Sequence, residues 1–233
     1  MADPSDRQLA DGQLATYWVV PLRDTVVFPD VTTSFTVGRS FSVLAFKMAY
    51  ATSDRLLYLV LQREPGVDAP TRADLHGCGT VAQIINRITL PNRHVRVEVR
   101  GLQRARMVDV HDRDGATLAS VKLEPPAESR PIDSAIREVV AALLRTTAEH
   151  LVGRGDAAAL AGLGVSDTGE VEFDVRGLER LTYALAASLD FPTPHKQALL
   201  DLDDPVQRLA EIADMLARSG GRDPSRRDPS RRS

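Results

Sequence analysis

The chain has 233 residues, 43% hydrophobic and 26% charged, with a formal net charge of −3. That is ordinary globular material for one large or two small domains, and it excludes a wholly disordered chain. A single cysteine, Cys78, excludes an internal disulfide and points to a reducing compartment.

No run approaches the ~18 apolar residues of a membrane helix. The first sixteen residues, MADPSDRQLADGQLAT, are polar and acidic and lack the basic start and apolar stretch of a signal peptide. The chain reads as soluble and cytoplasmic. Lysine is nearly absent, with only Lys47, Lys122 and Lys196, and none of the three follows a glycine. A Walker A loop needs Gly-Lys before Ser or Thr so that the lysine reaches the terminal phosphates, so this sequence holds none. From Gly221 onward the tail carries five arginines against two aspartates. The rest therefore holds the acidic excess, which argues against nucleic acid as the main partner.

In chain order, "YWVVPL" from residue 17 is a β-branched apolar run and "TTSFTV" at 32–37 alternates, so both read as strands. Ser40 is an N-cap candidate for a helix carrying Phe41, Leu44, Ala45 and Met48, which would cross over from "TTSFTV" to "LLYLVLQ" at 56–62. That second run is continuously apolar, as in a strand buried on both faces. "GTVAQIINRITL" follows at 79–90. In "HVRVEVRGL" Val95, Val97 and Val99 face one way while Arg96, Glu98 and Arg100 face the other. "LPNRHV" predicts a hairpin turning near Asn92, and Asp114-Gly115 predicts another between "RARMVDVHD" and "LASVKLE".

After "EPPAESRP" the period changes to that of helices. Pro131 suits a helix start, and Ile132, Ile136, Val139, Val140, Leu143 and Leu144 form one stripe running to Leu151. Residues 153–165, rich in Gly and Ala, read as loose or as a short helix. Asp174 is set to cap a helix bearing Leu178, Leu181, Leu185 and Leu189. "PTPHKQALLD" predicts a short helix, and Asp204-Pro205 opens the last one, with Val206, Leu209, Ala213 and Leu216 on one face and Gly220-Gly221 as its stop. The repeated DPSRR at 223–232 reads as disordered.

Chemistry-bearing constellations are scarce. The histidines at 76, 94, 111, 150 and 195 never sit four apart, and no HExxH or GxSxG occurs. Cys78, with only His76 beside it, reads as a buried structural thiol rather than a nucleophile. The arginines at 87, 93, 96, 100, 104 and 106 lack interleaved aromatic residues. They read as the solvated face of a sheet paired with Glu98 and Asp109, in preference to an RNA surface.

Five segments in order, "VVPLRDTVVFPD", "VGRSFSVLAF", "LLYLVLQREPGVDAPTRADLHGCGTVAQI", "TLPNRHVRVEVRGLQRARMVDV" and "HKQALLDLDDPVQRLAEIADML", resemble the amino-terminal (LON) domain of the ATP-dependent Lon protease family across residues 17–218. The resemblance implies an α+β fold: a flexible stretch at 1–16, a PUA-like β-barrel with one crossover helix at 17–126, a helical bundle at 127–219 and a disordered Arg-rich tail at 220–233. It makes PLRD an early barrel strand and its turn, with Pro21 and Pro29 at the corners. Asp24 would accept backbone hydrogen bonds there or pair with an arginine. Gly79 and Gly101 would stand where a side chain would crowd the backbone. The family usually has proline where Trp18 stands and glycine where Asp30 stands.

On this resemblance the chain is expected to be non-catalytic, with no cofactor and no metal. It would recognise unfolded or tagged polypeptides or a partner such as a Lon-type protease, as a stand-alone protein or as a fragment of the longer protease; an RNA-binding PUA-like module is the remaining alternative. Val26, Val27 and Phe28, together with Leu90 and Pro91, are the expected binding residues, because they lie at turns where apolar side chains stay uncovered.

Overall fold

The computed structural model describes residues 14–91, 94–153 and 174–220. Six strands come first: β1 (Leu14–Leu22), β2 (Thr32–Val37), β3 (Leu56–Leu61), β4 (Cys78–Thr89), β5 (Val95–Arg113) and β6 (Ala116–Leu123), with α1 (Ser40–Tyr50) between β2 and β3. Four described helices follow, α2 (Ser134–Gly153), α3 (Val175–Ser188), α4 (Thr193–Asp201) and α5 (Pro205–Gly220). β1 begins inside the stretch expected to be flexible. The 153–165 segment, the Asn92 turn tip and the DPSRR tail lie outside the described residues. Among the described residues no helix is long and apolar enough to cross a membrane.

The sheet order is β2-β5-β4-β3-β1-β6, and the far half of β5 also pairs with β6. Five strands therefore close into a ring, and β2 hangs on the near half of β5 outside it. Nineteen residues of β5 make this possible, because one strand serves two neighbours in succession. The β5–β6 turn places Asp114 at φ 54 and Gly115 at φ 82, the paired positive angles of a tight hairpin. The crossover joins β1 to β3, which pair in parallel. β2 and β3 are not neighbours, so the expected link through α1 connects elements that never pair.

Alternate residues of β1 and β3 enter two different cores. Val20, Leu22, Leu57 and Leu59 pack with Phe46 of α1, while Val19, Tyr58 and Val60 pack with Met107 and Val121. Both faces are covered, which is why "LLYLVL" is continuously apolar. α1 starts one residue earlier than expected, with Ser40 already inside the helix. Arg39 is the extended residue before it, and its guanidinium donates to the Pro21 carbonyl and to Gln62 Oε1.

Pro21 lies within β1, opposite Val60, not at a corner. The carbonyl of Leu22 accepts from Gln62 N on the β3 side, so the polar groups of Pro21 face the other way. The β6 pairing ends there at Trp18. The missing N–H thus falls where β1 has no strand neighbour, the tolerated position for a strand proline.

Gly79 and Gly101 stand where the sequence places crowding. A Cβ on Gly101 would lie 2.0 Å from the Phe28 carbonyl oxygen, and one on Gly79 would lie 2.4 Å from that of Leu59. Gly101 exchanges backbone bonds with Asp30 N and Val31 O, which fixes the 28–31 turn against β5. Asp30 there adopts φ 60, a region that glycine enters freely and a β-carbon opposes.

In the bundle, Asp174 caps α3 by accepting from Gly177 N at 2.7 Å. Hydrogen bonds from the Ser129 hydroxyl and from Gly177 N hold its carboxyl below the usual carboxylate range. Pro131 does not start α2; it forms a β-bridge to Asp174. Ile132, Val140 and Leu143 are buried as the stripe predicts, but Val139 is 45% exposed. On α5, Ile212 and Met215 join Leu209 in the core.

Two substitutions separate these backbone constraints. Gly101→Ala should lower unfolding free energy by about 3 kcal/mol, the upper end for forced overpacking. Asp30→Gly should raise it by up to about 1 kcal/mol through relief of the left-handed backbone. Urea unfolding of the two variants beside the parent chain measures both.

Candidate functional site

The strands and the bundle meet over the end of α4. The last four carbonyls of any helix lack internal partners and carry the negative end of its dipole. Here two arginines supply the donors. Arg104 of β5 gives one nitrogen to Leu200 O (3.1 Å) and Leu202 O (2.6 Å) and the other to Asp203 (2.6 Å). Arg208 of α5 donates to Leu199 O (2.9 Å) and Leu202 O (2.5 Å), and its guanidinium lies 4.2 Å over the Tyr183 ring. Burial lowers the Arg208 pKa and pushes the Tyr183 phenol well up. Gln197 of α4 adds a bond to the Cys78 carbonyl on β4.

The same seam swallows the VVF segment. Val26 and Phe28 point into the bundle core, where Phe28 packs against Tyr183 at 6.0 Å between ring centroids, while Val27 points into the strand core. Thr80 Oγ1 donates to Val27 O at 2.6 Å and pins the segment. The expectation that these side chains stay uncovered is therefore corrected: Val26, Val27 and Phe28 are 8%, 3% and 0% exposed. A chain threading between two cores offers alternate side chains to each.

Beside the seam runs an open groove along β2. One part, a cleft of about 700 Å³, lies between residues 30–34 and the α3–α4 corner at 184–196. The other, about 660 Å³, lies between residues 20–25 and 34–39. Asp24, Thr25 and Ser34 line both, so the two are continuous. Asp24 does not pair with Arg23, which reaches Asp68 at 2.6 Å. Instead the Asp24 carbonyl accepts from Thr193 at 3.0 Å and ties the groove wall to the bundle.

The β4–β5 hairpin carries the largest uncovered apolar side chains near this region. Ile85 and Ile88 are 48% and 56% exposed. Between Ile84 and Asn86 the register slips, and Ile85 is the bulged residue. Ile88 sits opposite exposed Arg96. Of the expected pair at its end, Pro91 is exposed and Leu90 half-buried, with Leu90 N bonded to His94 O at 2.8 Å. Ile85 and Ile88 are not among the expected residues, because a run of isoleucines in a strand reads as core. The interleaved Asn86 and Arg87 were the signal against it.

The remaining candidates have structural surroundings. Cys78 is 1% exposed, and burial pushes its thiol up to about 12. Burial, then the Arg63 charge, lowers His76. Among the described residues no three His, Cys, Asp or Glu side chains converge on a metal site. Arg104 and Arg106 pair with Asp203 and Glu124, not with Glu98 or Asp109. Arg87 lies 4.4 Å over the Tyr50 ring, and Arg93 falls outside the described residues. Arg87, Arg104 and Arg106 are thus divided among separate contacts.

A closed strand ring with an appended edge strand, clamped onto a helical bundle and presenting a seam groove, defines a two-lobed binding module. The chain belongs to the family of the ATP-dependent protease La (LON) substrate-binding domain, which matches residues 16–218. It is 30% identical over 199 residues to a Lon protease of Solibacter usitatus, covering 85% of this chain. It is 32% identical over 203 residues to one of Trichlorobacter lovleyi, covering 86%. The chain spans 23% of the length of each of these relatives. Its fold is similar to that of the N-terminal domain of a Mycobacterium avium complex Lon protease, with a TM-score of 0.68, 18% identity and coverage of 87% of this chain and 98% of that one. The Lon N-terminal domain protein from Xanthomonas campestris gives a TM-score of 0.60, 16% identity and coverage of 86% and 98%.

Removing the clamp should be expensive. Arg104→Met leaves the Leu200 carbonyl without its arginine, while Leu202 O keeps Arg208 and Asp203 keeps Arg106. It should destabilise the chain by about 1–3 kcal/mol, whereas Arg96→Met, at an exposed position, should stay within about 0.5 kcal/mol. At pH 8 a thiol reagent should label native Cys78 about a thousandfold more slowly than the urea-unfolded chain. That is the ratio of thiolate fractions for a pKa of about 12 and an ordinary thiol pKa of about 8.5–9.

Proposed function

We propose that this chain recognises unfolded or tagged polypeptide segments, performs no covalent chemistry of its own, and acts in the cytoplasm in the service of a Lon-type protease. The observation that carries this reading is the uncovered apolar tip of the β4–β5 hairpin, Ile85 and Ile88 with Leu90 and Pro91 beyond them. Folded proteins hide such side chains, and unfolded ones offer apolar partners for them, so a patch of this kind discriminates by conformation. Membership of a substrate-binding family supports the same reading. The reading is the same whether the module stands alone or is joined to further domains.

The test is a titration of the purified chain, without nucleotide, against a permanently unfolded protein and its folded counterpart. Only the unfolded form should bind. Ile88→Asp should weaken that binding about tenfold, or about 1.4 kcal/mol, with unfolding midpoint unchanged. Equal affinity for both forms, or full affinity in Ile88→Asp and Ile85→Asp, would contradict the proposal.

A further inference from the structure

We infer that the free edge of β2 takes an extended polypeptide as an added antiparallel strand, with basic residues of that polypeptide at the acidic, bundle-side end of the groove. This rests on the polypeptide-binding reading above and specifies how the backbone and charge of the bound segment are read.

Hydrogen-bond parity fixes which groups of β2 are free. Leu90 N bonds to His94 O, so the even-numbered residues from His94 to Arg100 turn their polar groups to β4 and the odd-numbered ones turn theirs to β2. The register pairs Thr33 with Val99, Phe35 with Val97 and Val37 with Val95. Gly101 N donating to Val31 O at 3.0 Å gives the same parity from the other end. The N–H and C=O groups of Thr32, Ser34 and Thr36 therefore point away from β5. Among the described residues no strand pairs on that side.

Proteins usually blunt such an edge with lysine, proline, a bulge or a cover, because it templates pairing with another chain. β2 reads TTSFTV: it has no charge and no proline, and its register to β5 runs without a slip. Thr32, Ser34 and Thr36 are exposed, and residues 30–39 line the groove throughout. A peptide backbone is the one ligand that matches alternating donors and acceptors at strand spacing.

The groove is also charged unevenly. Asp30 and Asp190 line the Thr32 end and Asp24 lies where the two parts join, against one ammonium, Lys196, which donates to Ala187 O at 3.0 Å. At the Val37 end the guanidinium of Arg39 already bonds Pro21 and Gln62, and that of Arg23 bonds Asp68. Ser42 lines this second part, 2% exposed, with a buried hydroxyl that has no hydrogen-bond partner. It suits a polar group brought in by the added strand. An antiparallel strand on β2 puts its C-terminal end at the acidic side.

Amide hydrogen exchange on the whole chain tests this, using a ten-residue peptide of four Thr-Val repeats closed by Arg-Arg and a second closed by Glu-Glu. With the first, the amides of Thr32, Ser34 and Thr36 should slow at least tenfold, while those of Thr33, Phe35 and Val37, already bonded to β5, stay unchanged. The Glu-Glu peptide should bind at least tenfold more weakly, and the double variant Asp24→Asn, Asp30→Asn should remove that difference. No alternating protection with either peptide, in a chain that still binds the unfolded protein, would overturn strand addition and leave the polypeptide-binding reading standing. Failure to bind the unfolded protein at all would remove both. Protection that grows with protein concentration and not with peptide would replace the peptide by a second copy of this chain and overturn the inference.

Discussion

The architecture depends on the capping of one short helix by arginines from two directions. α4 has nine residues, too few to be stable on its own, and its C-terminal carbonyls are buried at the joint between strands and bundle. A buried carbonyl without a donor costs about 1–3 kcal/mol. Arg104 and Arg208 together satisfy those of Leu199, Leu200 and Leu202; Asp203 pairs with Arg104, and the Tyr183 ring lies under the Arg208 guanidinium. One arginine belongs to β5 and the other to α5, so a single set of hydrogen bonds locks the register of both lobes. The apolar contacts around it are less selective, since hydrophobic packing has magnitude but little direction.

This lock sets the geometry of the surface beside it. With α4 held against β4 and β5, the segment from Arg23 to Pro29 has one route, between the two cores, and Val26, Val27 and Phe28 disappear into them in alternation. Gly101 admits the Phe28 carbonyl at a distance no other residue would allow. The turn at Asp30 then delivers the chain to β5 as an edge strand that does not reach the ring on its other side. The groove along β2 is the gap left by that arrangement. It is a consequence of how the lobes are joined, and it lies on the same side of β5 as the joint.

Much of this was legible in the residues. Asp114-Gly115 announced its turn because few pairs adopt two positive φ angles. Val95, Val97 and Val99 announced a half-buried strand, and Asp174 announced its helix through its cap. Each of these signals is local. The failures involve partners distant in sequence. Arg104 shares the polar parity of Arg96 and Arg100, and nothing near it reveals a helix end about a hundred residues later. VVF between two prolines looks like a turn whether it faces water or two cores. Pro21 suggests a corner until one knows that β6 has already left β1 at Trp18. The proposed binding surface was legible only in part: Leu90 and Pro91 lie on the same hairpin as the exposed isoleucines, but those isoleucines and the bare edge of β2 follow from the bulge and from strand order, which the sequence does not display.

In the proposed mode, unfolded polypeptide is read on the β4–β5 hairpin and the adjoining β2 groove, with the α4 clamp as rigid support. The most direct measurement is an amide chemical-shift map of the isotope-labelled chain titrated with a permanently unfolded protein. Shifts should concentrate at residues 85–91 and 30–39, with the amides around Leu199 to Asp203 unmoved. Shifts concentrated on α2 or α5, or a clamp that rearranges while the hairpin and groove stay silent, would contradict it.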